Sequence, residues 1–375
     1  MRRYARTLVA VALAATVAAG TAGWASGSTQ RAVSGPPPGS ASWRADEVRG
    51  HALPDPESAS PAQVASFFAA LSPAQRQALA VRHPSVVGNL DGVPLELRYR
   101  ANSLALKAST DPRYRLLAEQ GRRILAFDPR GRGLVAEVFG DLRAARHVAV
   151  VVPGSDIDAG TYDRDSDPYG APAGMARSLR DATGPGTAVI AWAGYTTPVG
   201  VGWDAATGDL AEVGADRLAR FTAGLAADGL PAPAVFCHSY GSVVCGLAAH
   251  RLHVGDLVVL GSPGMRADSV AGLRTSARVW AAKDPTDWID DVPNIEFAGV
   301  GHGTDPTDPG FGARRVPARR AVGHTGYFAP GTDSLTAFAA IATGNFATGD
   351  FATADTTDFA TADTTGSATA EGALR

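Results

Sequence analysis

The chain has 375 residues, a formal net charge of -3, 45% hydrophobic residues and 19% charged residues. That length buries one sizeable core or two modest ones, and the low charge excludes a disordered body. The near-neutral balance leaves no electrostatic footprint for nucleic acid. The first residues, Met1-Arg2-Arg3-Tyr4-Ala5-Arg6, are basic, and an uncharged run rich in alanine, valine and leucine follows from Leu8 to Ala22. With the small residues that come next, residues 1–25 read as a secretory signal peptide. Left uncleaved, the same run would anchor the chain in a membrane, and no other membrane contact is expected. The location that follows is secreted or extracytoplasmic, with the export route open.

Residues 26–59 are rich in glycine, serine and proline and predict a flexible linker. Two helix starts follow. Ser60-Pro61-Ala62-Gln63 and Ser72-Pro73-Ala74-Gln75 each combine a serine N-cap, proline at the first helical position and glutamine three residues after the cap. They predict helices over roughly 61–71 and 73–82, and a third is expected from Arg98 to Ala108. Residues 60–115 form a helical leader, expected to brace the core.

From residue 116 to 345 strand-like and helical runs alternate. Ile124–Phe127 and Leu134–Phe139 predict a hairpin around Asp128-Pro129-Arg130-Gly131-Arg132-Gly133. Further strands are expected at His147–Val152, Ala188–Trp192, Ala234–Cys237, Asp256–Leu260, Arg278–Ala281 and Ile295–Ala298. Helical stretches at Gly174–Arg180, Glu212–Asp228, Ser242–Leu252 and Ser334–Ala342 separate or follow them. This alternation predicts an α/β fold, a mostly parallel sheet with helices on both faces. Residues 346–375 repeat an eight-residue unit, Asp350 to Thr357 and again Asp358 to Thr365, too poor in apolar side chains to build a core. A disordered tail is expected there.

The chemistry centres on Pro233-Ala234-Val235-Phe236-Cys237-His238-Ser239-Tyr240-Gly241-Ser242. A buried strand ends, a serine sits at a sharp turn and a helix begins. This is the setting of a nucleophile elbow, and with the alternating strands it predicts the α/β-hydrolase fold. Cys237 stands where glycine is usual. It and Cys245 are the two cysteines of the chain, and two small buried thiols are the simpler expectation, although export would permit a disulfide. A serine needs a base, and an acid to orient that base, in the order serine, acid, histidine. After the strand at Arg278, Asp284 and Asp287 compete for the acid. Asp287 is preferred, because a branched apolar residue, Ile289, lies two positions on. His302 and His324 both suit the base, while His238 reads as structural. The oxyanion hole needs two backbone N–H groups. Tyr240, after the serine, and Ser155, in the loop Val152-Pro153-Gly154-Ser155-Asp156, are the expected donors.

Across roughly residues 60–345 the sequence resembles an actinobacterial α/β-hydrolase family catalogued as a domain of unknown function. The likeness rests on Val87-Gly88-Asn89-Leu90-Asp91-Gly92-Val93-Pro94, Arg100-Ala101-Asn102, Val152-Pro153-Gly154 and His238-Ser239-Tyr240-Gly241-Ser242. It extends to Gly261-Ser262-Pro263-Gly264, Phe311-Gly312-Ala313 and His324-Thr325-Gly326-Tyr327. The resemblance implies a serine hydrolase with a helical leader and favours His324 as base, through a His-x-x-Tyr unit before the last helix. The expected function is an exported serine hydrolase of the esterase type, using Ser239, His324 and Asp287 and an acyl-enzyme. Its expected substrate is a small-molecule or lipid-like acyl compound, and no metal or cofactor is implied. A catalytically inactive binding module and a peptidase or amidase on the same fold are the alternatives.

Overall fold

The computed structural model describes residues 29–346, so the signal-peptide and tail expectations lie almost wholly outside the described residues. The first described segment differs from the flexible linker expected for 26–59. It carries α1 (Ser40–Arg44) and a small hairpin of β1 (Glu47–Val48) and β2 (His51–Ala52). Trp43 is fully buried, stacks on Phe68, meets the His83 ring edge-on and donates its indole N–H to Pro54 O at 2.7 Å. One buried tryptophan, with Leu53 beside it in the same apolar cluster, outweighs the segment's glycine, serine and proline content.

The leader continues with α2 (Pro61–Ala70), α3 (Pro73–Arg82), α4 (Pro84–Val87) and α5 (Leu95–Ala108). Both capping boxes form. Ser60 accepts from Gln63 N at 3.2 Å while Gln63 Oε1 accepts from Ser60 N at 2.8 Å, and Ser72 and Gln75 repeat the exchange. The leader holds the body through polar side chains as well as apolar ones. Asn89 donates to Phe127 O at 2.6 Å and accepts from Phe127 N at 3.1 Å. Arg98 donates to Leu125 O and Asp91, and Asn102 donates to Ile124 O, each at 3.0 Å.

The body comprises β3 (Ile124–Asp128), β4 (Leu134–Phe139), β5 (His147–Val152), α6 (Pro172–Thr183), β6 (Thr187–Ala193), α7 (Trp203–Ala206) and α8 (Asp209–Ala227). It continues with β7 (Ala234–His238), α9 (Gly241–Ala248), β8 (Asp256–Leu260), β9 (Arg278–Ala282), β10 (Glu296–Phe297), β11 (Val300–Gly301), β12 (Arg314–Arg315) and α10 (Asp333–Ala342). The eight-stranded sheet has the order β12-β9-β8-β7-β5-β6-β4-β3. From β12 to β6 every neighbouring pair is parallel; β4 runs antiparallel to β6 and β3. Successive side chains point to opposite faces. Val150, Val152, Val235 and Val259 therefore feed one core, and Ala149, Val151, Phe236 and Val258 the other.

The strand expected at Ile295–Ala298 does not join this sheet. Glu296–Phe297 folds back on Val300–Gly301 as a separate exposed hairpin. Ala298 (φ 52°) and Gly299 (φ 83°) make the two-residue turn, whose positive φ values suit a tight hairpin. The place beside β9 is taken by β12 instead.

Candidate active site

The parallel strands end together, and the candidate residues lie on the loops that leave those ends. β7 stops at His238, Ser239 adopts φ 54°, and α9 begins at Gly241. A serine in the left-handed region is strained, and here its amide is held by Leu260 O at 3.0 Å. The glycine after the turn is required sterically, since a Cβ on Gly241 would lie 2.7 Å from the carbonyl oxygens of both Val152 and Pro153. Cys237 corrects the thiol expectation: it is bonded to Cys245, with Cα atoms 6.5 Å apart. Strand and helix approach closely on either side of the turn, so the two sulfurs meet inside the core, both fully buried. Ser239 thus sits within a short covalent loop.

The expected oxyanion loop runs beside the serine. A Cβ added to Gly154 would stand 2.6 Å from Ser239 Cβ and 3.0 Å from its Oγ. Tyr195 fixes this loop by donating its hydroxyl to Pro153 O at 2.7 Å, and Asp156 N donates to Pro198 O at 2.8 Å. Ser155 lies between these anchors. Tyr240 caps α9, where the first N–H groups have no intrahelical acceptor. Its own side chain turns away and donates to Thr207 O at 2.8 Å.

Asp287 and His324 are brought together. His324 Nδ1 donates to Asp287 Oδ1 at 2.8 Å, which leaves Nε2 as the nitrogen with the lone pair. Asp287 Oδ1 also accepts from Ile289 N at 2.9 Å, and Oδ2 accepts from the Tyr327 hydroxyl at 2.6 Å. Burial pushes the Asp287 carboxyl up, but the hydrogen bonds from His324, Tyr327 and Ile289 outweigh it and hold it below the usual range. Both members of the His-x-x-Tyr unit therefore bind the same carboxylate.

Asp284 has another task. Its Oδ1 accepts from Thr286 N at 2.8 Å and from the Thr286 hydroxyl, closing a turn, and its amide donates to Tyr327 Oη at 2.9 Å. His302 is likewise engaged on both nitrogens, donating from Nε2 to Ala205 O at 2.7 Å and facing Arg266 Nε at 3.5 Å through Nδ1. Its burial, with Arg266 nearby, lowers its pKa to about 4.

The pair reaches the serine through two contacts. Gly261, which follows the strand β8 that pairs with β7, has φ 53°, and a Cβ there would lie 2.8 Å from Asp287 Oδ2 and 3.1 Å from His324 Nδ1. His238 donates from Nε2 to His324 O at 2.7 Å, and the two rings lie 4.7 Å apart. Burial and the neighbouring His324 push His238 down to about 3, so it stays neutral. No hydrogen bond joins Ser239 Oγ to His324 among the described residues; contacts of this kind tighten when substrate binds. The Trp288 ring also packs against His324, with ring centres 4.5 Å apart. Trp288 was not anticipated from sequence, and the structural role expected of His238 takes the form of a hydrogen bond to His324 O. Adjacency to Asp287 is the signal that marks Trp288.

Among the described residues, no group of three or more His, Cys, Asp or Glu side chains could hold a metal ion. No helix of the described residues is long and apolar enough to cross a membrane.

Residues 128–297 match the model of a family described as alpha/beta hydrolase. Two uncharacterized proteins of Mycobacterium tuberculosis, from strains CDC 1551 / Oshkosh and H37Rv, are each 29% identical over 78% of this chain and 57% of their own length. The chain thus spans little more than half the length of these curated relatives. Among solved structures it is similar to esterase PE8, with 18% identity over 56% of this chain and 97% of that one (TM-score 0.37). It is also similar to a dienelactone hydrolase from Anabaena variabilis ATCC 29413, with 16% identity over 57% and 91% (TM-score 0.35). The sheet order, the strand–serine–helix turn and the match over residues 128–297 give the chain the α/β-hydrolase fold, with similarity to the uncharacterized mycobacterial proteins over most of its length.

Proposed function

We propose that the protein is a serine hydrolase that cleaves carboxylic esters through an acyl-enzyme. The observation that carries this reading is the Asp287–His324 hydrogen bond, closed beside a serine held at φ 54°. In this scheme His324 Nε2 takes the Ser239 hydroxyl proton as Oγ attacks the ester carbonyl carbon. The carbonyl oxygen becomes an oxyanion facing the N–H groups of Tyr240 and Ser155, with the N-terminus of α9 favouring the same charge. Collapse breaks the ester C–O bond, and His324 returns the proton to the departing alcohol. Water then attacks the acyl-enzyme by the same route and releases the acid. Asp287 holds the imidazole in one tautomer and stabilises its charged form.

Export to an oxidising compartment is part of the proposal. It is supported by the Cys237–Cys245 disulfide, a bond that persists mainly outside the reducing cytosol.

Fluorophosphonate labelling of wild type beside Ser239→Ala tests the reading. Labelling of wild type alone, with ester turnover lost in the variant, is expected. Labelling that persists in Ser239→Ala, or none on folded wild type, would overturn it.

A further inference from the structure

Seven of the nine large apolar side chains that stand exposed among the described residues lie on the loops leaving the C-terminal ends of the strands. Val199, Val201 and Trp203 follow β6, Ile295 and Phe297 belong to the β10–β11 hairpin segment, and Val322 precedes His324. Trp288, against the His324 ring, is the seventh. Phe297 and Val322 are each 79% exposed and Trp203 58%. Isolated exposed apolar residues are ordinary, but a concentration at one end of a molecule marks a binding surface.

These segments are tied to the proposed machinery and to one another. Gly200 N donates to Asp156 Oδ1 at 2.8 Å, which fastens the Val199–Val201 stretch to the loop carrying Ser155. Thr207, which accepts the Tyr240 hydroxyl, bridges to Val300, the residue paired with Phe297. His302, just past the hairpin, donates to Ala205 in the helix that begins at Trp203. The segments that carry these apolar side chains are therefore linked to the loop of Ser155, to Tyr240 and to His324.

The charges beside it bear on what it takes. Arg266 is engaged by Glu296, and Lys283 by Asp290 and Asp305. Asp291 adds a further carboxylate next to Asp290. Arg319 and Arg320, exposed just before Val322, add cations at the same margin, so the local charge is mixed and the apolar side chains decide what the surface takes.

We infer that this apolar rim receives the long acyl chain of a water-insoluble ester, so that the enzyme acts on lipid-like esters. The inference rests on the ester-hydrolase reading and names its substrate class. Each large side chain that covers the chain contributes a few-fold to its retention.

Two measurements decide it, comparing wild type with Trp203→Ser/Phe297→Ser. The first is kcat/KM on p-nitrophenyl acetate and decanoate. Wild type is expected to favour decanoate, and the decanoate-to-acetate ratio to fall roughly tenfold in the double variant. The second is co-flotation with droplets of a neutral triacylglycerol in the Ser239→Ala background, which needs no turnover. Droplet binding is expected there and is expected to weaken when the two rim changes are added. A flat wild-type chain-length profile, or a ratio and droplet binding unmoved by the rim changes, overturns the inference and leaves the hydrolase reading intact. Absence of hydrolysis with rim-dependent droplet binding would instead sink the hydrolase reading and sustain the surface.

Discussion

Gly154→Ala perturbs the proposed nucleophile without touching a reacting group. Gly154 has no positive φ, so alanine suits its backbone, and the whole effect is steric. The new methyl would start 2.6 Å from Ser239 Cβ, where carbon atoms normally rest at 3.5–4.0 Å. Serine and loop must separate by roughly 1 Å. A displacement of that size costs on the order of 100-fold in rate when it falls on a positioned reacting atom. Overpacking of this kind costs about 1–3 kcal/mol of stability, so the variant should fold and melt a few degrees lower. The assay is kcat on a soluble short-chain ester with the fluorophosphonate labelling rate, each normalised to folded protein. Gly255→Ala is the control, because its Cβ would meet only Ala232 O, at 3.9 Å. A folded Gly154→Ala protein with more than half the wild-type kcat would refute the proposed contact between this loop and the nucleophile.

Asp287→Asn should lower kcat by roughly 10³ to 10⁴, through loss of the tautomer-fixing carboxylate, whereas Asp284→Asn should cost less than about tenfold; a reversed ranking in steady-state kinetics would move the acid to Asp284. His324→Ala should likewise cripple turnover while His302→Ala acts mainly on the melting temperature, and equal kcat losses would contradict the assignment. Removing the disulfide in Cys237→Ala/Cys245→Ala frees a loop with a sequence separation of 8, worth about 2–3 kcal/mol of loop-closure entropy; urea midpoints unchanged from wild type would contradict this. Stability should also fall with acid. His238 and His302 hold pKa values near about 3 and about 4 when folded and near 6.5 when unfolded, so below pH 6.5 the unfolded chain binds protons that the folded one refuses. Asp228, raised by burial to about 6, works in the opposite sense between pH 6 and 4. The net expectation there is about one proton, or a loss of ~1.4 kcal/mol per pH unit, and urea titrations showing a flat stability across that window would refute it.

The elements that could be read in advance are those whose signal is local. The two serine–proline–glutamine starts define their own caps, and the runs at His147, Ala234 and Asp256 are buried on both faces, so composition alone marks them. The turn at Ser239 is legible because a strand, a serine and a helix follow within a few residues. The Asp287–His324 contact is partly legible: chain order narrows the candidates to two aspartates and two histidines, Ile289 and the His-x-x-Tyr unit favour this pair, but only the fold shows that Thr286 engages Asp284 while Ala205 and Arg266 engage His302. The misses share a non-local cause. Trp43 sits among glycines and prolines, and its burial depends on Phe68 and His83, far along the chain. The sulfurs of Cys237 and Cys245 meet because a strand and a helix pack across the turn, a distance that sequence spacing does not encode. The residues at 295–298 have strand-like composition, yet Arg314–Arg315 outcompetes them for the sheet edge, two residues that carry no strand signal.

The attachment of the leader to β3 has a consequence for the behaviour of the protein in solution. β3 is the last strand of the sheet, and its outer main-chain groups at Ile124, Leu125 and Phe127 are occupied by Asn102, Arg98 and Asn89. The two bonds between Asn89 and Phe127 imitate those of a neighbouring strand. An edge without such a cover is a template for pairing with another chain. The leader therefore covers this edge, and without it β3 would present open main-chain groups of the kind that pair with another chain.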